Sequence, residues 1–403
     1  MKPLPKRSGW CVRKSVAPCL TFGWITTEMA LPRPLPTVDD YRHEAKRRLP
    51  RMVYDYVEGG AGSERGLDRN RDAFAKYLLS PRRLVNVQQR RQSVAPLGSS
   101  WATPFAVAPM GLNGVVRPGG DLALAKAAAR MGIPFCLSTA STSTIEEVAA
   151  ATSGEIWFQL YVVQRKLAED LVRRAAAAGC TTLVLTVDVA VNGERIRDKR
   201  SGFGVPFRYT PRIMWDAATH PVWSLRQVLA GLPELAHFRV AGTGDVEAQA
   251  ALMGRQMDAS FDWEALAALR DAWQGKLLVK GILAPDDASH CEKLGVDGLI
   301  ISNHGARQIE DVMAPVDALP AIRRACQLPL LLDSGIRHGA DVVKAMALGA
   351  AGALIGRPLL YGLAARGERG ADEILALLRQ QIDNTLALIG CPDIGMLDET
   401  YIA

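Results

Sequence analysis

Nothing in the 403 residues approaches a run of eighteen apolar side chains, so the sequence contains no candidate membrane-spanning helix. Paired cysteines are also missing. The seven present, at 11, 19, 136, 180, 291, 326 and 391, include no C-x-x-C and no matched spacings. That excludes a disulfide framework or zinc ribbon and leads us to expect a reducing compartment and no metal site. A sustained excess of one charge is absent too. The formal charge is +6, but residues 1–36 hold six basic side chains against Glu28, a net of 6 − 1 = +5, which leaves 6 − 5 = +1 for the rest. A nucleic-acid-binding reading has no charge to rest on. Residues 1–36 contain a weak apolar patch, Val16–Ile25, interrupted by Pro18 and Gly23 and followed by no A-x-A cleavage site. They read as a disordered extension, or as sequence upstream of Met29 as the true start, rather than as a signal peptide.

What is present is a large core, with 48% hydrophobic and 22% charged residues. Its organising stretch is Asp297–Gln308, where Leu299-Ile300-Ile301, preceded by glycine and followed by Ser-Asn-His-Gly, has the character of a parallel strand buried on both faces. His304 and Arg307 leave that strand on one loop. A guanidinium that forks onto a carboxylate beside an imidazole that takes a proton suits a hydroxy acid. In isolation, N-H-G-x-R would more often be a loop with a solvated arginine and a structural histidine.

The rest of the chain changes that balance. After the Pro-rich Leu31–Pro36, a helix capped at Thr37 and a second ending at Gly59 look like a lid across one end of the fold. From Pro104 onward a helix, a glycine and an aliphatic strand recur, the glycines being 132, 179, 295 and 349. Together with Phe105–Pro109, Ile156–Tyr161, Leu277–Lys280 and Pro329–Asp333 this makes eight strands, and the alternation predicts an α/β fold, a closed (β/α)8 TIM barrel over residues 37–403. One long insertion follows the fourth strand, about 190–260. Within 193–240, eight basic and four acidic residues interleave with Ile213, Met214, Trp215, Val222, Trp223, Leu225, Val228 and Leu229, which fits a membrane-interface segment or a lid over the barrel mouth.

The strand ends carry the polar inventory. They read Ala108-Pro-Met110-Gly111, Ser138, Gln159-Leu-Tyr161, Thr186-Val-Asp188, Lys280, Ser302-Asn-His304-Gly-Ala-Arg307, Asp333-Ser334-Gly335-Ile-Arg337 and Gly356-Arg357. His304 is the one histidine at a strand end, and Asp188 can fix its tautomer. The seventh and eighth ends match the place where such barrels hold phosphate. Ser138, Gln159 and Thr186 would face the polar edge of a flat heterocycle and Lys280 its negative charge, as flavin mononucleotide would require.

At this point the motifs S-N-H-G-x-R-Q, F-Q-L-Y, L-T-V-D, L-V-K-G, D-S-G-I-R and V-Y-D-Y, in order over about 37–395, resemble the FMN-dependent 2-hydroxy-acid dehydrogenases and oxidases. Within that family the stretches Pro50–Tyr56, Asp188–Gly193, Ala251–Phe261 and Gly390–Ile394 are most similar to the members that oxidise (S)-mandelate. The resemblance implies FMN as cofactor, His304 as the base supported by Asp188, and Arg307 and Tyr56 on the substrate carboxylate. It further implies Arg195 as a second, mobile arginine, Tyr161 on the hydroxyl or carboxylate, and Lys280 beside the reduced flavin. Gly111 resembles the glycine of membrane-associated members that pass electrons to a quinone. Together with the basic, tryptophan-bearing insertion it implies a dehydrogenase peripheral to the cytoplasmic side of the inner membrane, and the family resemblance implies a homotetramer. Ala306 stands where mandelate- and lactate-type members carry a second glycine and glycolate-oxidase-like members an alanine, which weakens the substrate assignment but not the chemistry; L-lactate or glycolate as substrate, or oxygen as acceptor, are the alternatives. An FMN-dependent isomerase is the alternative of another class, and the His304–Arg307 pair argues against it.

Overall fold

Eight short strands, β1 (Phe105–Val107), β2 (Phe135–Ser138), β3 (Ile156–Leu160), β4 (Thr182–Thr186), β5 (Lys276–Ile282), β6 (Gly298–Ile301), β7 (Leu330–Leu332) and β8 (Gly352–Ile355), pair in sequence order. All pairs are parallel, and β8 closes on β1, with Phe105 opposite Ala353. Apart from Lys276 and Gly281 on β5, every strand residue is buried, because side chains fill the barrel interior and helices cover its outside. The computed structural model describes residues 33–204, 210–231, 233–239 and 257–403. The expectations for residues 1–32, Cys11, Cys19 and Ala251–Gln256 lie outside these. The other five cysteines are free and buried.

The glycines at 132, 179, 295 and 349 all have positive φ (69, 80, 74 and 98°), as the helix-glycine-strand rhythm requires. Helix α1 (Val38–Arg48) starts on a capping box between Thr37 and Asp40, and α2 (Arg51–Glu58) ends at Gly59. Helix α3 is Arg65–Asp72. The barrel helices begin with α4 (Asn113–Val116), α5 (Gly120–Met131), α6 (Ile145–Ala151) and α7 (Arg165–Ala177).

The insertion supplies α8 (Ile196–Ser201), α9 (Pro211–Ala218), α10 (Pro221–Ala230) and α11 (Ala236–Arg239). It is tied to the barrel. Helix α2 begins at Pro50 without a side-chain cap of its own, and Asp216 of α9 accepts instead from the Arg51 and Met52 amides at 3.1 and 3.2 Å. On α10, Trp223 Nε1 donates to Val115 O at 2.9 Å, and Gln227 Nε2 donates to the carbonyls of Gly114 and Val115. These two side chains, four apart, fix one face of the helix. Met214, Trp215, Val222, Leu225, Val228 and Leu229 remain exposed.

Candidate active site

The loop after β6 carries the chemistry because its backbone is forced into an unusual shape. His304, Gly305 and Ala306 have φ of 58, 64 and 59°, three consecutive left-handed residues of which only one is glycine. The strain is held by a network. Ser302 Oγ accepts from His304 N, Ser334 Oγ accepts from Gly305 N, and Asn303 Oδ1 accepts from Ala306 N. Asn303 is locked in turn by a reciprocal amide pair with Asn70 of α3 at 2.8 and 2.7 Å.

The turn presents His304 with both ring nitrogens defined. Nδ1 lies 2.8 Å from Asp188 Oδ1, and Nε2 lies 3.3 Å from the Tyr161 hydroxyl. Burial pushes the Asp188 carboxyl up, but His304 and Lys280 outweigh it and hold it below its ordinary value. An ionised Asp188 makes Nδ1 the protonated nitrogen and leaves Nε2 as an acceptor. Asp188 reaches that position past a bulge in β5 at Gly281 (φ 111°), where a Cβ would lie 2.6 Å from that of Asp188.

Arginines close the other side. Arg307 Nη1 donates to Tyr56 O and Gly59 O, both at 2.8 Å, at the carbonyl end of α2, and its guanidinium lies over the Tyr56 ring at 5.0 Å. Tyr56 stacks on Phe203 at 4.3 Å and donates to Gly111 O. Arg195, expected to be mobile, is 6% exposed; among the described residues its Nη1 has no hydrogen-bond partner, and it lies 3.9 Å from Asp198 Oδ2.

These groups surround one open cavity at the C-terminal ends of the strands. Of the residues expected at the site, Tyr56, Ala108, Met110, Gly111, Ser138, Tyr161, Arg195, Lys280, His304, Arg307, Asp333, Ser334, Gly335, Arg337, Gly356 and Arg357 line it. Gln159, Thr186, Ser302 and Asp188 do not. They are tied to residues that do: Gln159 accepts from Ser138, Thr186 lies opposite Lys280 in the β4–β5 register, Ser302 accepts from Lys280 Nζ and Asp188 holds His304. Ala140 and Ile336, from the expected strand-end stretches, line it too, and Val57, Met257, Leu354 and Leu360 do so without having been anticipated. Met257 had a signal, since it falls within Ala251–Phe261.

Several features fit FMN. The helix Arg357–Arg366 starts at Gly356 without a side-chain cap, so its first amides face the cavity end unpaired by any cap. Burial and the neighbouring guanidiniums of Arg307 and Arg337 bring Arg357 down to about 10, a crowding of cations that a phosphate relieves. Among the described residues, buried Gln159 Nε2 and Thr186 Oγ1 have no hydrogen-bond partner, as expected where a heterocycle's edge supplies one. Lys280 is 4% exposed; burial opposes its charge, but Asp333 at 3.1 Å and Asp188 hold its pKa above the ordinary value.

A parallel eight-stranded barrel with this cradle at its C-terminal face defines a flavin-dependent oxidoreductase. Residues 45–403 match the family model for FMN-dependent dehydrogenases, and the chain belongs to that family. It is 52% identical to (S)-mandelate dehydrogenase of Pseudomonas putida over 365 residues, covering 91% of this chain and 93% of that one. It is 42% identical to an L-lactate dehydrogenase of Caulobacter vibrioides, covering 90% and 96%. The crystal structure of the monotopic membrane protein (S)-mandelate dehydrogenase superposes with a TM-score of 0.89 at 51% identity, over 92% of this chain and 100% of that one. The expected family, barrel and FMN dependence are thus borne out.

The Ala306 methyl does not touch the cavity. It is 1% exposed and packs toward α3, where a Cβ on Gly66 would meet it at 2.9 Å. Alanine there therefore acts through the packing of the loop on α3 and not through the cavity wall.

Behind Arg195 lies a carboxyl under load. Burial pushes Asp198 up to about 6, with Asp55 and Glu64 acting in the same sense against Arg307 and Arg197. A carboxyl with a raised folded pKa favours the fold at pH below its unfolded value, and the advantage disappears as pH rises through the folded pKa. Asp198→Asn is therefore expected to stabilise the protein by on the order of 1–2 kcal/mol at pH 8 and to change little at pH 4. Thermal melts at the two pH values test this; an equal shift at both would contradict it.

Proposed function

We propose that this protein oxidises an aromatic (S)-2-hydroxy acid, with mandelate the first candidate, to the 2-keto acid and passes the electrons to a quinone. The observation that carries the reading is the convergence of His304 Nε2, the Tyr161 hydroxyl and the Arg307 and Arg195 guanidiniums on one cavity. The family membership and the 52% identity to a mandelate dehydrogenase support the substrate class. Arg307 and Tyr56 hold the carboxylate, and Arg195 supplies a second cation to it. Tyr161 positions the hydroxyl, and His304 takes the substrate proton on Nε2 while Asp188 stabilises the resulting imidazolium. FMN, when bound, accepts the two electrons. Lys280 places a buried positive charge where the cofactor gains negative charge, with Asp333 and Ser302 fixing its ammonium. Gly111, Ala140 and Met257 give the cavity a wall without charge, suited to a phenyl ring.

The reading extends to location. The exposed apolar residues of α9 and α10, including Trp215, Val228 and Leu229 at 74, 76 and 78% exposure, would lie in the interface on the cytoplasmic side of the inner membrane. Among the described residues no helix is long and apolar enough to cross a membrane. We take the assembly to be a homotetramer.

Anaerobic addition of (S)-mandelate should bleach the flavin spectrum within the mixing time of a manual experiment, and steady-state turnover should require a quinone or dye. Rapid bleaching by L-lactate with none by mandelate would transfer the assignment to the lactate-type relatives. Absence of bleaching by any hydroxy acid would remove redox chemistry on these acids altogether.

A further inference from the structure

Asp198 sits on α8 one turn beyond Arg195, and the two side chains meet out of the cavity's reach on one side only: Arg195 lines the cavity and Asp198 does not. The 3.9 Å between Arg195 Nη1 and Asp198 Oδ2 is too long for a hydrogen bond. Among the described residues neither Arg195 Nη1 nor Asp198 Oδ1 has a hydrogen-bond partner. The rest of the guanidinium is held loosely, with Nε 3.4 Å from Arg307 O and Nη2 3.5 Å from Gln308 Oε1. Its backbone is firmer: Lys199 N donates to Arg195 O, and Gly62 N donates to Glu194 O at 2.9 Å. The head of Arg195 can therefore be drawn either way while its anchor stays in place.

The charges around Asp198 come from several elements. Arg195 and Arg197 belong to its own stretch, Asp55 to α2, Glu64 to the start of α3 and Arg307 to the turn after β6. Most of the cations are engaged elsewhere. Arg197 pairs with Glu64 and lies 3.8 Å from Asp55 Oδ1, and Nη1 of Arg307 is committed to Tyr56 O and Gly59 O. Arg195 is the cation left for Asp198. An acid entering the cavity brings a second carboxylate to that guanidinium, and two carboxylates beside one cation push each other toward the neutral form. The buried one, already raised to about 6 chiefly by burial, is the one that takes the proton.

We propose that Asp198 is a positioning residue that competes with the substrate's carboxylate for Arg195, and that an anionic acid binds with uptake of a proton from solvent by Asp198. Ionised, Asp198 draws Arg195 back from the cavity; neutral, it releases the guanidinium to the acid. The proposal rests on the hydroxy-acid reading and adds to it a control on substrate affinity. The sign follows from linkage. Because the complex favours the protonated carboxyl, binding is tightest at low pH and weakens as pH rises through the free enzyme's value.

The test uses the FMN-loaded enzyme and phenylacetate, an aromatic acid that lacks the hydroxyl and so cannot be oxidised. Asparagine has the shape of the neutral carboxyl, so Asp198→Asn should bind phenylacetate about twofold more tightly than wild type at pH 6 and about tenfold more tightly at pH 8. Taking the ratio at each pH cancels any proton taken by His304, which both proteins share. Calorimetry at pH 7 in two buffers of different ionisation enthalpy should show wild type taking up about half a proton more per acid bound than Asp198→Asn. Asp198→Glu, which keeps the carboxylate, should restore the wild-type uptake. Arg195→Met removes the contested group and should lower the uptake as Asp198→Asn does, which decides the matter even if Asp198→Asn fails to fold. Equal uptake in wild type and either of these two variants would overturn the proposal. So would weaker binding by Asp198→Asn at pH 8, since Asp198 would then be holding Arg195 toward the acid. Wild type that binds phenylacetate at no pH and is not bleached by any hydroxy acid would overturn the hydroxy-acid reading itself.

Discussion

Replacing His304 with asparagine is expected to lower kcat by on the order of 10²–10⁴-fold while FMN and the 2-keto acid product still bind. Asparagine is the informative choice because of the backbone. At φ 58° most side chains would add strain, but asparagine tolerates the left-handed region, so the turn that also carries Arg307 should survive. What is lost is the acceptor at Nε2 beside the Tyr161 hydroxyl, together with the imidazolium that Asp188 would stabilise. The effect should fall on the reductive step, visible as slow bleaching of the flavin in a stopped-flow trace with substrate in excess. A variant that bleaches within tenfold of the wild-type rate would show that the substrate proton goes elsewhere.

Much of this machinery could be read from the chain, for a physical reason. A parallel strand buried on both faces must be aliphatic, and the helix before it must stop in a left-handed residue, so each unit of the barrel announces itself locally. The strands expected at Phe105–Pro109, Ile156–Tyr161, Leu277–Lys280 and Pro329–Asp333 fell within two residues of their observed bounds, with β5 running on to Ile282 through the bulge at Gly281. The polar groups closing those strands were therefore legible as a set. Depth was not. Period-two alternation does not say whether Gln159 and Thr186 reach the cavity or only adjoin Ser138 and Lys280, which do, because that depends on barrel packing. Nor does the sequence relate Asn70 to Asn303, partners 233 residues apart whose amide pair holds the catalytic turn. The captures of α2's terminal carbonyls by Arg307 and Arg357 are likewise products of the tertiary fold. Asp198 was passed over for the same reason, since its load comes from burial in the tertiary fold, with Asp55 on α2 and Glu64 next to α3 adding to it.

Arg307→Met should lower kcat/KM by about 10²–10³-fold, the cost of leaving a carboxylate without its principal cation in a partly desolvated cavity. Two functions share this side chain, and the experiment has to part them. Nη1 is committed to Tyr56 O and Gly59 O, so methionine also frees two carbonyls at the end of α2, a loss on the order of 1–3 kcal/mol of stability. Arg307→Lys separates the terms. An ammonium restores charge near the carboxylate and one hydrogen bond to the helix end, but not the planar fork, so melting should recover more fully than catalysis. Tyr56→Phe gives a third point. It removes the hydroxyl that donates to Gly111 O and leaves the backbone carbonyl that Arg307 uses, so stability should barely change while KM rises. If Arg307→Lys regained wild-type kcat/KM, charge alone would suffice at this position. The second guanidinium, Arg195, buried with Nη1 unpartnered, would then have to supply the directional bonds to the substrate.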